Sequence, residues 1–102
     1  MSDIEELRNK IRDFALRRDW EKFHTAKNLA MAVAGEAGEL LAEFQWLTPE
    51  ESENLSPEQR KAIELEIADV AIYLLRLADV TGIDIKKAVQ EKLSINEGRF
   101  PS

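Results

Sequence analysis

Two stretches of this chain carry more apolar surface than one side of a helix can use. Between Ala26 and Gln45, a stripe of Leu29, Val33, Ala37, Leu40, Leu41 and Phe44 recurs at helical spacing. The opposite side holds Met31, Gly35, Gly38 and Ala42, which are small or apolar rather than polar. Between Pro57 and Val80, Ile63, Ile67, Val70, Leu74 and Leu77 form one stripe, and Leu65, Ala68, Ile72 and Leu75 form a second. A helix that is apolar on both sides is buried on both sides. A chain of 102 residues has little else with which to cover both faces. One face is therefore expected to pack inside the protomer and the other against a second copy.

No segment shows the sustained alternation of a half-buried strand. A further helix is expected from Asp3 to Arg17, where Ile4, Leu7, Ile11 and Phe14 share a face and Ser2 with Glu5 resembles a capping box. "SPEQ" at 56–59 is a strong helix start: Ser56 caps, Pro57 suits the first helical position, and Gln59 completes the box. Gly82 should end that helix, and a last helix should run from Ile85 to Glu97, capped by Asp84 and closed by Gly98. The polar link "WLTPEESENL" has room for one turn after Pro49. The expected fold is all-α, a four-helix-type bundle in a single domain spanning 1–102.

The formal net charge of −6 argues against binding a nucleic-acid polymer, which calls for a basic face. It leaves room for a small anionic substrate, because a bound cation reverses a local field. With no cysteine there is no disulfide framework, zinc-thiolate site or thiol nucleophile. "MSDIEELRNK" has no apolar signal-peptide core, and the longest apolar run is broken by Glu36 and Glu39. The expectation is a cytoplasmic protein without a membrane partner.

The chemistry-bearing feature lies inside the two greasiest helices. Glu36 and Glu39 in "GEAGEL" are three residues apart and share a face, with Glu43 one turn on. Glu66 and Asp69 in "EIAD" repeat the spacing, with Tyr73 below them. If the long helices pack together, four carboxylates meet in a low-dielectric seam. They must then take up protons or hold a cation. Oxygen-only ligands suit a hard divalent ion, magnesium first and manganese as a substitute. A di-iron centre in a bundle uses Glu-x-x-His motifs, and the single histidine, His24, is not at such a spacing. Gly35 and Gly38 beside the acids permit close approach of a ligand or another helix.

Lys92, Asn96 and Arg99 share a face of the last helix, and its cations can bind phosphate oxygens. Trp20 in "RRDWEKFH" and Trp46 in "EFQW" offer flat faces that can stack a nucleobase, and they can come from different subunits.

"GEAGEL" followed by "EIADV" resembles the E-x-x-E … E-x-x-D signature of the MazG-like all-α nucleoside triphosphate pyrophosphohydrolases. Within that superfamily, "RDWEKFH", "FQW", "EIADVAIYLLRLAD" and "KLSINEGRFP" resemble the dCTP pyrophosphatase branch, over about Ile11 to Pro101. The resemblance implies intertwined protomers, as a homodimer or a tetramer of paired dimers. It implies hydrolysis of a nucleoside triphosphate, dCTP or a modified dCTP, to monophosphate and pyrophosphate, in nucleotide-pool sanitation. It assigns magnesium and catalysis to Glu36, Glu39, Glu66 and Asp69. The expected substrate-binding set is Trp20, His24, Asn28, Trp46, Tyr73, Lys92, Asn96 and Arg99. One departure is Ile11, where cytosine-specific relatives can carry a histidine; a hydrogen-bonding group is lost there. Other readings are a broad-specificity or phosphoribosyl-ATP pyrophosphohydrolase, or a non-catalytic helical dimerisation or nucleotide-sensing module.

Overall fold

The computed structural model describes residues 2–102 and contains helices and turns, with no strand among the described residues. Helix α1 spans Asp3–Arg17, and a 3-10 turn follows at Glu21–Phe23. Helix α2 spans Ala26–Ala42, α3 is the single turn Pro49–Ser52, α4 spans Pro57–Thr81 and α5 spans Ile85–Arg99. No helix among the described residues is long and apolar enough to cross a membrane.

Each α-helix start has its cap. The hydroxyls of Ser2, Thr25, Thr48 and Ser56 and the carboxylate of Asp84 accept from the backbone N–H three residues on. Thr48 with Glu51 and Ser56 with Gln59 form complete capping boxes. Helix α4 stops where expected. Gly82 is left-handed at φ 71°, its N–H donates to the Asp79 carbonyl, and the Ile83 N–H donates to the Ala78 carbonyl. That pair of bonds satisfies carbonyls the helix leaves open. Two ends differ from expectation. Helix α2 closes at Ala42 rather than Gln45, because the next turn tightens: the Glu43 and Phe44 N–H groups donate to Leu40 and Leu41. Helix α5 runs through Gly98 to Arg99; its stop is Pro101, which disfavours helical geometry at Phe100.

The packing centres on α4, against α2 most extensively and against α1 next. Ala15, Leu29 and Ile63, one from each helix, are the buried apolar residues. The phase of the seam departs from the stripes expected from apolar residues alone. On α2 the inward positions are Leu29, Val33, Glu36, Leu40 and Glu43, and Ala37 and Leu41 face out. On α4 they are Ile63, Glu66, Asp69, Val70, Tyr73 and Arg76, and Ile67 and Leu74 face out. The spacing alternates three and four, as helix packing requires, but the seam includes the acids.

Much apolar surface remains open. Leu65, Ile67, Met31, Leu93 and Trp46 are all exposed. The chain is also extended, with a radius of gyration of 16.3 Å against about 13 Å for a compact domain of this length. Helix α5 touches the rest of the chain only sparsely.

One polar network reaches into this small core. Arg76 is 6 % exposed, and its Nη1 donates to Asp79 Oδ2 at 3.1 Å. From α1, Arg12 grips the same carboxylate with Nε and Nη2 at 2.8 and 2.5 Å. The Arg12 bond, with the charges of both arginines, holds the Asp79 carboxyl below the usual carboxylate range. Removing Asp79 strands a buried guanidinium. Asp79→Ala is expected to lower stability to urea by about 3 kcal/mol. A surface pair such as Lys61–Glu64, deleted in parallel, should cost well under about 1 kcal/mol.

Candidate metal centre and adjoining cavity

The α2–α4 seam sets the acids face to face. One carboxylate oxygen from each of Glu36, Glu39 and Glu66 lies within 4.8 Å of the others. Asp69 is close enough for its charge to act on both Glu36 and Glu66. Glu36 Oε2 and Glu66 Oε2 are buried with no hydrogen-bond partner. Burial raises the Glu36 carboxyl pKa above its ordinary 4.5, and the charges of Glu39, Asp69 and Glu66 raise it further. Glu66 is raised by burial and by the charges of Glu39, Asp69 and Glu43. Two orphaned buried oxygens in an all-oxygen acidic group fit a hard divalent cation, which would satisfy both and cancel the repulsion. Glu36, Glu39 and Glu66 could hold it together; Asp69, the fourth acid expected from the sequence, is not in that close group and acts on it through its charge.

A cavity of about 230 Å³ adjoins this cluster. Ile11 and Phe14 of α1, Trp20 and His24 of the following turn, and Asp69 and Tyr73 of α4 line it. Asp69 therefore faces both the acid cluster and the cavity. The aromatic wall is built locally. Asp19 takes a left-handed turn at φ 56°, a conformation Asp tolerates better than most residues. The Trp20 N–H then donates to the Ala15 carbonyl at 3.0 Å. Phe14 and Trp20 meet edge to face at 5.7 Å, and the Arg18 guanidinium covers Phe14 at 3.5 Å from its centroid.

The remaining sequence candidates sit apart from this cavity. Trp46 is 86 % exposed and does not line it. Lys92 and Arg99 are exposed on α5, and no ion pair among the described residues joins them to the acids. Asn96 is half-buried on the same helix. The Asn28 amide donates to the Phe23 carbonyl at 3.1 Å, so it ties the 3-10 turn to α2. Gly35 and Gly38 face open space, with nothing within 4 Å of an added Cβ. Sequence reasoning missed Arg12, Arg76 and Asp79. The signal was Arg76 in "AIYLLRLAD", a lone cation in an apolar helix with an acid three residues on.

The MazG-like family model matches residues 32–101. The chain is 43 % identical over 101 residues to dCTP pyrophosphatase 1 of Homo sapiens, covering 97 % of this chain and 59 % of that protein. It is 41 % identical over 100 residues to dCTP pyrophosphatase 1 of Bos taurus, covering 96 % and 59 %. The chain thus spans about three fifths of the length of the curated relatives it matches. A crystal structure of a pyrophosphatase from Archaeoglobus fulgidus superimposes with a TM-score of 0.93 at 41 % identity, over 100 % of this chain and 95 % of that one.

The acid cluster makes two linked predictions. Folded Glu36 and Glu66 keep protons that the unfolded chain releases, so their contribution favours folding at low pH. The metal-free protein should lose stability as pH rises above 4.5 through their raised values. At neutral pH, magnesium or manganese should raise the melting temperature, and saturation at about 100 times the dissociation constant adds about 2.7 kcal/mol. Glu36→Gln should melt higher than the wild type without metal and respond little to it. Calorimetry with and without each ion reads both effects.

Proposed function

The chain belongs to the MazG-like family, and from that premise we propose that it is a metal-dependent nucleoside triphosphate pyrophosphohydrolase. Its substrate on this reading is dCTP or a modified dCTP, cleaved to the monophosphate and pyrophosphate in sanitation of the nucleotide pool. The observation that carries the reading is Asp69, which lines the aromatic cavity and stands near enough to the carboxylate cluster for its charge to act there. A nucleoside in the cavity places its phosphates at the acids.

The base and sugar occupy the space between Trp20, Phe14 and Tyr73, where flat aromatic faces favour stacking. Glu36, Glu39, Glu66 and Asp69 would hold magnesium, which would neutralise triphosphate charge and lower the pKa of a bound water. Glu39 is the exposed acid of the cluster, and on this reading it orients a water and takes its proton; its exposure supports the assignment. The water oxygen bonds to the α-phosphorus, the bond from that phosphorus to the bridging oxygen breaks, and pyrophosphate leaves with the electron pair. Lys92, Asn96 and Arg99 bind the departing phosphates.

Those three residues and Trp46 stand away from the cavity within one chain, which supports self-association as a homodimer or a pair of dimers. The open apolar faces of α1 and α4 support the same reading. A groove of about 480 Å³ lined by Leu7, Ile11, Phe14, Ala68, Ile72 and Leu75 lies between them. Such a groove on a lone protomer exposes a large apolar patch to water. A broader pyrimidine preference is the second reading, favoured by Ile11, which puts an apolar side chain on the cavity wall.

A panel of the common nucleoside triphosphates with 5-methyl-dCTP and magnesium, read as pyrophosphate released, tests the proposal. Cytosine nucleotides should lead. Glu39→Ala and Asp69→Ala should each reduce kcat at least about 100-fold, with helicity retained. A purine preference refutes the substrate, and near-normal hydrolysis by both variants refutes the site. Absence of pyrophosphate from every nucleotide favours the non-catalytic module.

A further inference from the structure

His24 is the only histidine of the chain, and it lies on the wall of the cavity. Its Nδ1 is 3.1 Å from Nε of Arg76. A guanidinium has donors only and does not give up its proton. Nδ1 must therefore be the acceptor of that bond. A neutral imidazole carries one proton, so the proton sits on Nε2. Burial and the Arg76 charge both hold the His24 pKa below its ordinary 6.5, which keeps the ring neutral.

Arg76 has little freedom to do anything else. It is buried, and its Nη1 is committed to Asp79 at 3.1 Å. Asp79 is in turn held from α1 by two bonds of Arg12. The chain Arg12–Asp79–Arg76–His24 runs from one helix, through another, to the turn that carries Trp20. It links residues 67 and 52 positions apart in sequence.

We propose that Arg76 is a positioning residue that fixes His24 as the Nε2–H tautomer, so that the cavity offers its occupant a hydrogen-bond donor at this point. The part about the occupant rests on the proposed nucleoside site. The nucleoside atom facing His24 is then an acceptor: a carbonyl oxygen, an unprotonated ring nitrogen or a sugar oxygen. An exocyclic amino group there would face a second donor and be left unpaired, which costs more than a hydrogen bond gains. Arg76, which also lines the cavity, thereby biases the orientation of the base through His24.

The single histidine makes the test direct. Nitrogen-15 NMR of untagged, uniformly labelled protein at neutral pH reads the protonation of each ring nitrogen. The wild type should show one neutral imidazole with its proton on Nε2. Arg76→Met keeps the side-chain stem but has no N–H to donate, and Asp79 stays paired with Arg12. In that variant the proton should spread over both nitrogens. KM for dCTP should rise about fivefold, the effect of one ordinary hydrogen bond, and by more than kcat falls. A wild-type ring protonated on Nδ1, or on both nitrogens, overturns the proposal whether or not the variant folds. A variant that matches the wild type in spectrum and KM overturns it too. An altered spectrum with unchanged KM refutes the donor role. A wild-type protein that hydrolyses no nucleotide refutes the functional reading alone, and the spectrum still decides the tautomer.

Discussion

The seam between α2 and α4 places carboxylates where helix packing calls for apolar side chains. Glu36 of α2, Glu43 at its C-cap, and Glu66 and Asp69 of α4 occupy inward positions on the three-four alternation that also carries Leu29, Val33, Leu40, Ile63 and Val70. The apolar residues of that pattern bring the helices together, and so they bring the acids together. The cost is visible in the two oxygens without partners and in the raised Glu36 and Glu66 carboxyls. A cation held there would relieve this repulsion at the most extensive helix contact of the fold.

A second polar device lies further along the same helix. Arg76 and Asp79, nearly buried, and the more exposed Arg12 form a network in which one carboxylate holds two guanidiniums. Its uses are geometric. It ties α1 to α4, and through His24 it fixes the turn that presents Trp20 to the cavity. The two devices are about two to three and a half turns apart on α4, so the same helix sets the distance between the acids and the aromatic wall. Desolvated ion pairs add little stability of themselves, and their common value is to specify an arrangement.

The outward face of this chain is as informative as its core. Leu65, Ile67, Ile72 and Leu74 on α4, Met31 and Leu41 on α2, and Val89, Leu93 and Ile95 on α5 are exposed. The hydrophobic effect leaves so many large apolar side chains in water only where something else covers them. The open space beside Gly35 and Gly38 belongs to the same outward surface of α2. It shows that no contact within the chain requires these glycines, and it leaves close approach from outside as their remaining physical reason.

The sequence by itself determined the helices, their caps and the acid pairs. Those depend on neighbours three or four residues apart: Ser56 with Gln59, Gly82 after Thr81, Glu36 with Glu39, Glu66 with Asp69. Short-range geometry of a helix is nearly fixed, so spacing alone places such residues on one face. Tertiary structure decided what spans long separations and what depends on rotation. Which side of each two-sided apolar helix turned inward was one such choice, because Ile67 and Leu74 offered as plausible a stripe as the one that includes Glu66 and Asp69. The pairing of Arg12 with Asp79 was another, and so was that of Arg76 with His24. No local rule links these residues, and only the packing of α1 and the Trp20 turn against α4 brings their charges within reach.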